Sequence, residues 1–367
     1  MISGWKDDLT PLMQRISQIA SGTESLLVIA ASSRLALALP ANRKAALIVA
    51  NLYQPHRWKG RLFLALVKWL VATGFAKFRP NYHGLTSVIP KVGWLVDASS
   101  QGCVGFLGCN PNHGPRCVLA GIDPVNGDKF IAKLGLDKSA AAVRREAGVL
   151  EKLSGRFPGV VRPMGLDTSE NNPLSMDSAS SFDWALLRLP HLGTTSPRSM
   201  ADPKIRILLE QWLGKEDSAL VQIPWADELL ECVAADEVPK DWHRMMKSRE
   251  IRTALLHGDF AVWNLRKTQD GLMAIDWEWG VEASVAGIDL AHGLRQECFM
   301  VGGMNPKRAV EWMLQQAGSS LWSAYLDTCG WSGAHEDWLR LGLLHSHFNA
   351  LNPSGELLGV LGIHLKS

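Results

Sequence analysis

Net charge is nearly absent from this chain. Its 367 residues carry 38 Lys and Arg against 36 Asp and Glu, a balance of +2, which argues against a dedicated nucleic-acid binder. Cysteine is sparse and unpatterned. Six are present, with no C-x-x-C and no metal-ligand spacing, so reduced thiols in a cytosolic setting are the simpler reading than a disulfide framework. A long hydrophobic run is missing too. The most apolar stretch, LFLALVKWLVATGFA at 62–76, is interrupted by Lys68 and falls short of the roughly 20 residues a membrane span needs. The opening MISGWKDDLTPLMQ places acids where a secretory leader has a basic segment, so no leader is expected. Tyrosine is rare, three against fifteen Trp. No internal repeat is visible. Hydrophobic residues at 47% and charged residues at 20% nonetheless match a soluble globular chain with a sizeable core, long enough for two or three domains.

The small net charge hides an asymmetry. Up to residue 95 there are twelve Lys or Arg and three acids (Asp7, Asp8, Glu24); the remainder holds 26 bases and 33 acids. Such a division suggests pieces with different partners or a mutual docking surface. Residues 1–95 are therefore expected as a basic amino-terminal region of mixed α/β character. In it SLLVIAAS and AALIVANLY read as buried strands or short helix pieces. The apolar run has two readings. The ordinary one is a buried helix. The other is an interfacial helix making peripheral membrane contact through 57–77, since Arg57, Lys59, Arg61, Lys68 and Lys77 with Trp58 and Trp69 surround the apolar residues.

Residues 96–190 read as an antiparallel meander. VGFLGC, RCVLAGI and KFIAKLGL are strand-like and are separated by the turn-rich NPNHGP and DPVNGD. KSAAAVRREAGVLEKLSG follows as a helix, with Val143, Ala147, Leu150 and Leu153 on one face and Gly155 to end it. FDWALLRLPHL is a later strand stopped by Pro190, after a polar surface loop. Residues 191–367 read as mostly helical, with candidates at PKIRILLEQWL, WADELLECVAA, PKDWHRMMKSREIRTALL, PKRAVEWMLQQAG and HEDWLRLGLLHSHFNAL. Pro203, Pro239 and Pro306 stand at or near helix starts, where Pro is tolerated.

The chemistry concentrates in LLHGDFAVWNL, residues 255–265, where His257, Asp259 and Asn264 sit among apolar neighbours. Twelve residues after Asn264 comes Asp276, in AIDWE, with a tight turn around Gly271 between them. A strand–turn–strand of that length brings an Asn oxygen and an Asp carboxylate to one place. These are hard ligands that suit Mg2+ together with nucleotide phosphates. Asp259 on the preceding loop can orient a hydroxyl and take its proton. Upstream, Lys133 at the end of an apolar strand and Glu146 on the next helix can pair, which aims an ammonium at phosphate. This is equipment for phosphoryl transfer, a reaction that asks for positioning and charge neutralisation.

The set HGDFAVWN, IDWE, FIAKLG and RREAGVLEKL resembles the aminoglycoside phosphotransferase and choline kinase group of the protein-kinase-like fold, over about residues 96–350. The resemblance implies an α+β chain, bilobal, with an antiparallel β N-lobe at 96–190 and a mostly helical C-lobe at 191–367, preceded by the extra α/β region. It implies Asp259 as the catalytic Asp and His257 as a brace of its loop. Asn264 and Asp276 would be the metal ligands. Lys133 would lie on the α and β phosphates with Glu146 as its partner, and the backbone from Leu187 to Leu189 would meet the adenine. The implied activity is transfer of the γ-phosphate of ATP, with Mg2+, to a hydroxyl of a small molecule, a sugar or glycan precursor being the favoured acceptor, in the cytoplasm or at a membrane periphery. A catalytically inactive nucleotide-binding scaffold and a protein kinase are the alternatives. The loop GCNPNHGP departs from the Gly-rich phosphate cover of protein kinases, although Gly108 and Gly114 would let backbone amides approach phosphate. VEASVAGIDL lacks the proline that often precedes the family's later Asp, mapped here to Asp289. No A-P-E pattern follows Asp276, which counts against a protein kinase. Glu278, between Trp277 and Trp279, is open to a substrate role or to plain solvation, and most of the Trp residues are expected to pack helices.

Overall fold

The computed structural model describes residues 27–32, 35–40, 42–52, 58–74, 103–108, 116–123, 125–136, 138–170, 183–233, 241–348 and 355–363. The chain divides into two compact units, residues 1–151 with 161–194, and residues 152–160 with 195–367.

The first unit is built on strands β1 (Leu27–Ser32) and β2 (Leu35–Leu39), helices α1 (Arg43–Ala50) and α2 (Trp58–Thr73), strands β3 (Val104–Gly108), β4 (Arg116–Ile122) and β5 (Lys129–Leu136), helix α3 (Lys138–Leu153), and strands β6 (Gly165–Thr168) and β7 (Trp184–Pro190). All seven strands form one sheet in the order β1-β2-β3-β4-β5-β7-β6, with every pairing antiparallel. The expected meander is β3-β4-β5. The sheet also takes in β1 and β2 from ahead of residue 95, β2 pairing with β3 from Ala36 opposite Gly108 to Ala38 opposite Phe106.

Of the two runs that periodicity left open, 27–32 is a strand and 43–50 is a helix. The helix begins where Asn42 caps the amides of Lys44 and Ala45 at 3.0 and 3.2 Å. It buries Ala46, Ile48, Val49 and Ala50 in a cluster with Leu39 and Ala120. Helix α2 joins that cluster through Val67 and Val71. The reading of this run as a buried helix needs correction, because α2 buries only one face and leaves Trp58, Leu62, Leu66 and Trp69 exposed.

In α3 the face marked by Val143, Ala147, Leu150 and Leu153 is buried throughout, and Gly155 follows with φ +81°, a conformation that favours glycine. The helix lies close to the sheet. A Cβ on Gly135 of β5 would meet the Ser139 carbonyl oxygen at 2.4 Å, so this strand position needs glycine. Ser139 ties the junction by accepting from the Leu136 amide at 2.8 Å and donating to its carbonyl at 2.9 Å.

The second unit holds α4 (Pro203–Gln211), β8 (Leu213–Ala219), α5 (Pro224–Glu231), α6 (Trp242–Ser248), β9 (Glu250–Leu256), β10 (Leu265–Thr268), β11 (Gly271–Ala274) and β12 (Val281–Val285). Helices α7 (Ile288–Gln296), α8 (Pro306–Ala317), α9 (Ser323–Thr328), α10 (His335–Phe348) and α11 (Gly355–Val360) follow. Pro203 and Pro306 open α4 and α8, while Pro239 lies outside the described residues. One expected helix is corrected. PKDWHRMMKSREIRTALL turns at Arg249, and its second half is β9, central in a three-stranded sheet of order β12-β9-β8. Ile251, Leu255 and Leu256 are buried there, and β-branched Ile251 and Thr253 suit a strand. Trp212, Trp277, Trp322 and Trp338 are fully buried core side chains. The whole is α+β, an antiparallel β unit followed by a mostly helical one, as expected of a protein-kinase-like chain.

Candidate active site

Each unit brings some of the singled-out residues together. In the first, Lys133 lies within β5, opposite Val118 of β4 and Leu187 of β7, rather than at the strand's end. Its Nζ donates to both oxygens of Glu146 at 2.7 Å. Both side chains are nearly inaccessible, 9% and 2% exposed, so each charge has its counter-charge where water cannot solvate it. Leu187 and Leu189 are buried in β7, Leu187 lying between Lys133 of β5 and Leu166 of β6. Gly108 ends β3 opposite Cys117. Gly114 lies outside the described residues, as does the rest of the expected phosphate loop, 109–115.

In the second unit β9 delivers the chain to His257, which is fully buried. Its Nε2 donates to the Ile275 carbonyl at 2.8 Å, and its Nδ1 lies 3.3 Å from the Asp259 amide, which donates to it. That pair of bonds sets the neutral tautomer, and burial pushes the imidazole below its ordinary pKa. The ring therefore ties the loop to the strand end ahead of Asp276. Gly258 has φ +84°, and a Cβ there would strike Trp279 Cβ at 2.7 Å. Glycine is required at this position for both reasons.

The loop backbone is gripped from a second side. Asp289, in the first turn of α7, accepts from the His257 amide at 2.7 Å and the Gly258 amide at 3.0 Å. Burial pushes its carboxyl up to about 7, against the pull of those two amides. The missing proline did not displace this residue. Instead Gly287, at φ +90°, makes the turn into α7, and Trp338 Nε1 donates to its carbonyl at 2.9 Å.

Asp259 remains partly exposed, its side chain at 23%. Its Oδ2 accepts from Asn264 Nδ2 at 3.1 Å, and the same nitrogen reaches the Asp259 carbonyl at 2.8 Å. Oδ1 lies 3.1 Å from His292 Nε2, and His292 Nδ1 lies 3.1 Å from the Ser346 hydroxyl. Gln296 Nε2 also lies 3.1 Å from His292 Nε2, so the imidazole sits among three polar side chains. Sequence reading missed His292. It sits in a helix with no motif around it, and only the packing of α7 beside the loop and α10 brings it to Asp259 and Ser346.

With the Asn264 nitrogen turned to Asp259, its oxygen is the atom left for a cation. Strands β10 and β11 form a hairpin in which Leu265 pairs with Ala274, and the Ile275 amide donates to the Asn264 carbonyl at 2.8 Å. The two-residue turn is Gln269–Asp270, just ahead of Gly271. The open end of this hairpin places Asn264 against Ile275, one residue before Asp276. Among the described residues Asp276 is the one non-glycine with positive φ, +73°. Asp tolerates that region better than most residues, and strain of this kind gathers at functional sites. The charge of Asp276 is felt by Arg266, whose pKa burial lowers to about 10. No group of three His, Cys, Asp or Glu that could hold a metal occurs among the described residues. Two oxygen ligands with phosphates to complete the shell fit Mg2+ without one.

Of the flanking aromatics, Trp277 is a core residue, its ring 5.2 Å from that of Trp212 and 4.7 Å from His257. Trp279 is 37% exposed beside Gly258, and Glu278 between them is half-buried.

No protein-family model matches this chain, and no curated protein matches it. Among solved structures it is similar to an aminoglycoside phosphotransferase from Streptomyces rimosus, at 14% identity over 69% of this chain and 91% of that one, with a TM-score of 0.37. It is also similar to a glucosamine kinase, at 11% identity over 70% of this chain and 83% of that one, with a TM-score of 0.25. Both superpositions are loose, and the reading of the site rests on this chain's own residues.

Proposed function

We propose that the protein is an ATP- and Mg2+-dependent phosphotransferase that moves the γ-phosphate to a hydroxyl of a small molecule. One observation carries the reading. A partly exposed carboxylate, Asp259, is held by two side chains, Asn264 and His292, on a loop whose backbone is clamped by buried Asp289. A carboxylate so held has a fixed place and a partly open face, which is what orienting an acceptor hydroxyl needs.

In the proposed reaction Asp259 orients the acceptor hydroxyl and takes its proton as the oxygen attacks the γ-phosphorus. The bond from that phosphorus to the bridging oxygen breaks, and ADP leaves. Asn264 and Asp276 would hold Mg2+, which when bound supplies positive charge to the phosphate oxygens. Lys133, aimed by Glu146, would hold the α and β phosphates. The acceptor is proposed to be a sugar or glycan precursor. The exposed Trp279, whose backbone and Cβ lie against Gly258, supports that choice, because an aromatic side chain near the loop suits a sugar ring. A cytoplasmic setting is part of the proposal. It is supported by the free thiols of Cys103, Cys117, Cys232, Cys298 and Cys329.

The test is transfer of labelled γ-phosphate from ATP across a panel of sugars, aminosugars and amino alcohols, with a polypeptide mixture alongside. Label on a small hydroxyl compound, lost in Asp259→Asn, is the expected result. Mg2+-dependent nucleotide binding with no transfer to any acceptor would leave a binding scaffold instead. Label on polypeptide alone would make the chain a protein kinase.

A further inference from the structure

Helix α2 presents an unusual surface. At 100° per residue, with Trp58 at zero, Trp69, Leu62 and Leu66 lie at about 20°, 40° and 80°. These side chains are 54%, 65% and 53% exposed, and Trp58 is 69% exposed. Val67 and Val71 lie on the opposite face, at about 180° and −140°, and are the buried ones. The basic residues fall at the two edges between these faces, with Lys59 at about 100°, Arg61 at about −60° and Lys68 at about −80°. Lys59 and Arg61 are exposed, and the Lys59 ammonium lies 5.8 Å from the Trp58 ring centre. Partial burial lowers the pKa of Lys68. The helix thus has one apolar face for its own core and a second one turned outward between two basic borders.

The sequence around it carries one sign of charge. From Ser25 to Val96 there is no Asp or Glu, while Arg34, Arg43, Lys44, Arg57, Lys59, Arg61, Lys68, Lys77, Arg79 and Lys91 all fall within that stretch. No helix among the described residues is long and apolar enough to cross a membrane. At 16 residues α2 is about 24 Å long, short of a roughly 30 Å hydrocarbon layer.

We propose that the outward face of α2 docks on an anionic lipid surface, lying in the plane of the interface with Trp58, Leu62, Leu66 and Trp69 inserted among the acyl chains and Lys59, Arg61 and Lys68 at headgroup level. Two Trp residues eleven apart suit the boundary between headgroup and acyl chain, where an indole keeps its N–H wet and its ring dry. Basic residues on both borders match anionic headgroups on both sides of the inserted stripe. A second copy of the chain fits less well. A two-fold contact through this stripe would set Lys59 and Lys68 of one copy against those of the other. The proposal stands apart from the phosphotransfer reading and survives if that reading fails.

The test is co-sedimentation of the full-length protein with vesicles of phosphatidylcholine alone and of phosphatidylcholine mixed with phosphatidylglycerol, at low and high salt. Binding to the mixed vesicles, weakened by salt, is expected. The double variant Leu62→Glu/Trp69→Glu should lose roughly tenfold or more in partitioning, because both side chains are already exposed and the change removes insertion rather than core. Lys59→Ser/Arg61→Ser should lose less and should flatten the salt dependence. Circular dichroism of both variants separates lost docking from lost fold, and Trp58→Ser/Leu66→Ser serves as a second apolar variant if the glutamates unfold α2. Absence of binding to mixed vesicles at low salt overturns the proposal. Binding that both apolar variants leave unchanged does so equally. So does a dimer in sedimentation velocity that Leu62→Glu/Trp69→Glu dissolves while vesicles remain unbound, which would make the stripe a self-interface.

Discussion

Lys133–Glu146 and the Asp259 loop handle charge in opposite ways. In the antiparallel unit the cation and the anion are both buried and neutralise each other through two bonds of 2.7 Å. In the helical unit the Asp259 carboxylate is partly open and is held by an amide and an imidazole. A buried pair gives a fixed direction, because neither ion can leave without stranding the other. A carboxylate held by an amide and an imidazole, and left partly open, gives a fixed position that a hydroxyl can reach. The difference separates a buried pair that neutralises itself from a carboxylate left partly open.

The sharpest separation should come from Asp259→Asn. Turnover should fall by roughly 10²- to 10⁴-fold while nucleotide affinity stays. Asn keeps the shape of the side chain, so the midpoint of denaturant unfolding should barely move. Near-wild-type turnover, measured beside calorimetric titration of nucleotide, would remove Asp259 from its role.

Glu146→Ala should behave in the reverse manner, with a stability loss of about 3–5 kcal/mol from a stranded buried ammonium. Replacing both partners, as Lys133→Met with Glu146→Leu, should recover most of that loss in urea unfolding yet still bind nucleotide weakly. Full nucleotide affinity in the double variant would show that the pair only supports the fold.

Asp289→Asn probes the clamp on the loop. An amide offers one oxygen where the carboxylate gave two, so one of the His257 and Gly258 amides loses its acceptor, at about 1–3 kcal/mol. The pH dependence should change as well. Burial raises the folded carboxyl to about 7, above its unfolded value near 3.8. Below about pH 4 both states hold the proton, and this group's contribution is fully present. Between about pH 4 and 7 only the unfolded chain releases it, so the contribution falls as pH rises and levels off above about 7. Unfolding curves at the two ends of that window should differ less for Asp289→Asn than for the parent chain.

The smallest effect is expected from Asp276→Asn set against Asp276→Ala. Both should weaken Mg2+-dependent nucleotide binding. Asn accepts positive φ more readily than Ala, so Ala alone should add about 1–2 kcal/mol of instability. Equal thermal midpoints for the two would mean that the backbone at 276 relaxes.

Much of this site was legible in sequence because it is built from near neighbours. His257, Asp259 and Asn264 lie within eight residues, and Asp276 is reached by one short hairpin. The Lys133–Glu146 pair is likewise local, thirteen residues apart across one strand–helix junction. The amphipathic face of α3 was legible by its period. Strand β9 was not. REIRTALL carries on from a helical pattern, and its strand form depends on partners in β8 and β12. Helix α2 was misjudged because hydrophobicity tells which residues avoid water and not which face finds a core.

The sequence by itself therefore determined the chemistry on offer: which carboxylates, which amide, which ammonium, and the short spans that join them. It also determined the acid-free basic stretch that contains α2. Tertiary structure alone decided that His292 meets Asp259 and which two amides of the loop Asp289 takes. It also decided that Trp277 is core while Trp279 is surface. Those outcomes depend on residues far apart in the chain, whose contacts arise only when helices pack. No local propensity encodes a partner thirty residues away, because its energy exists only once both elements have been brought together.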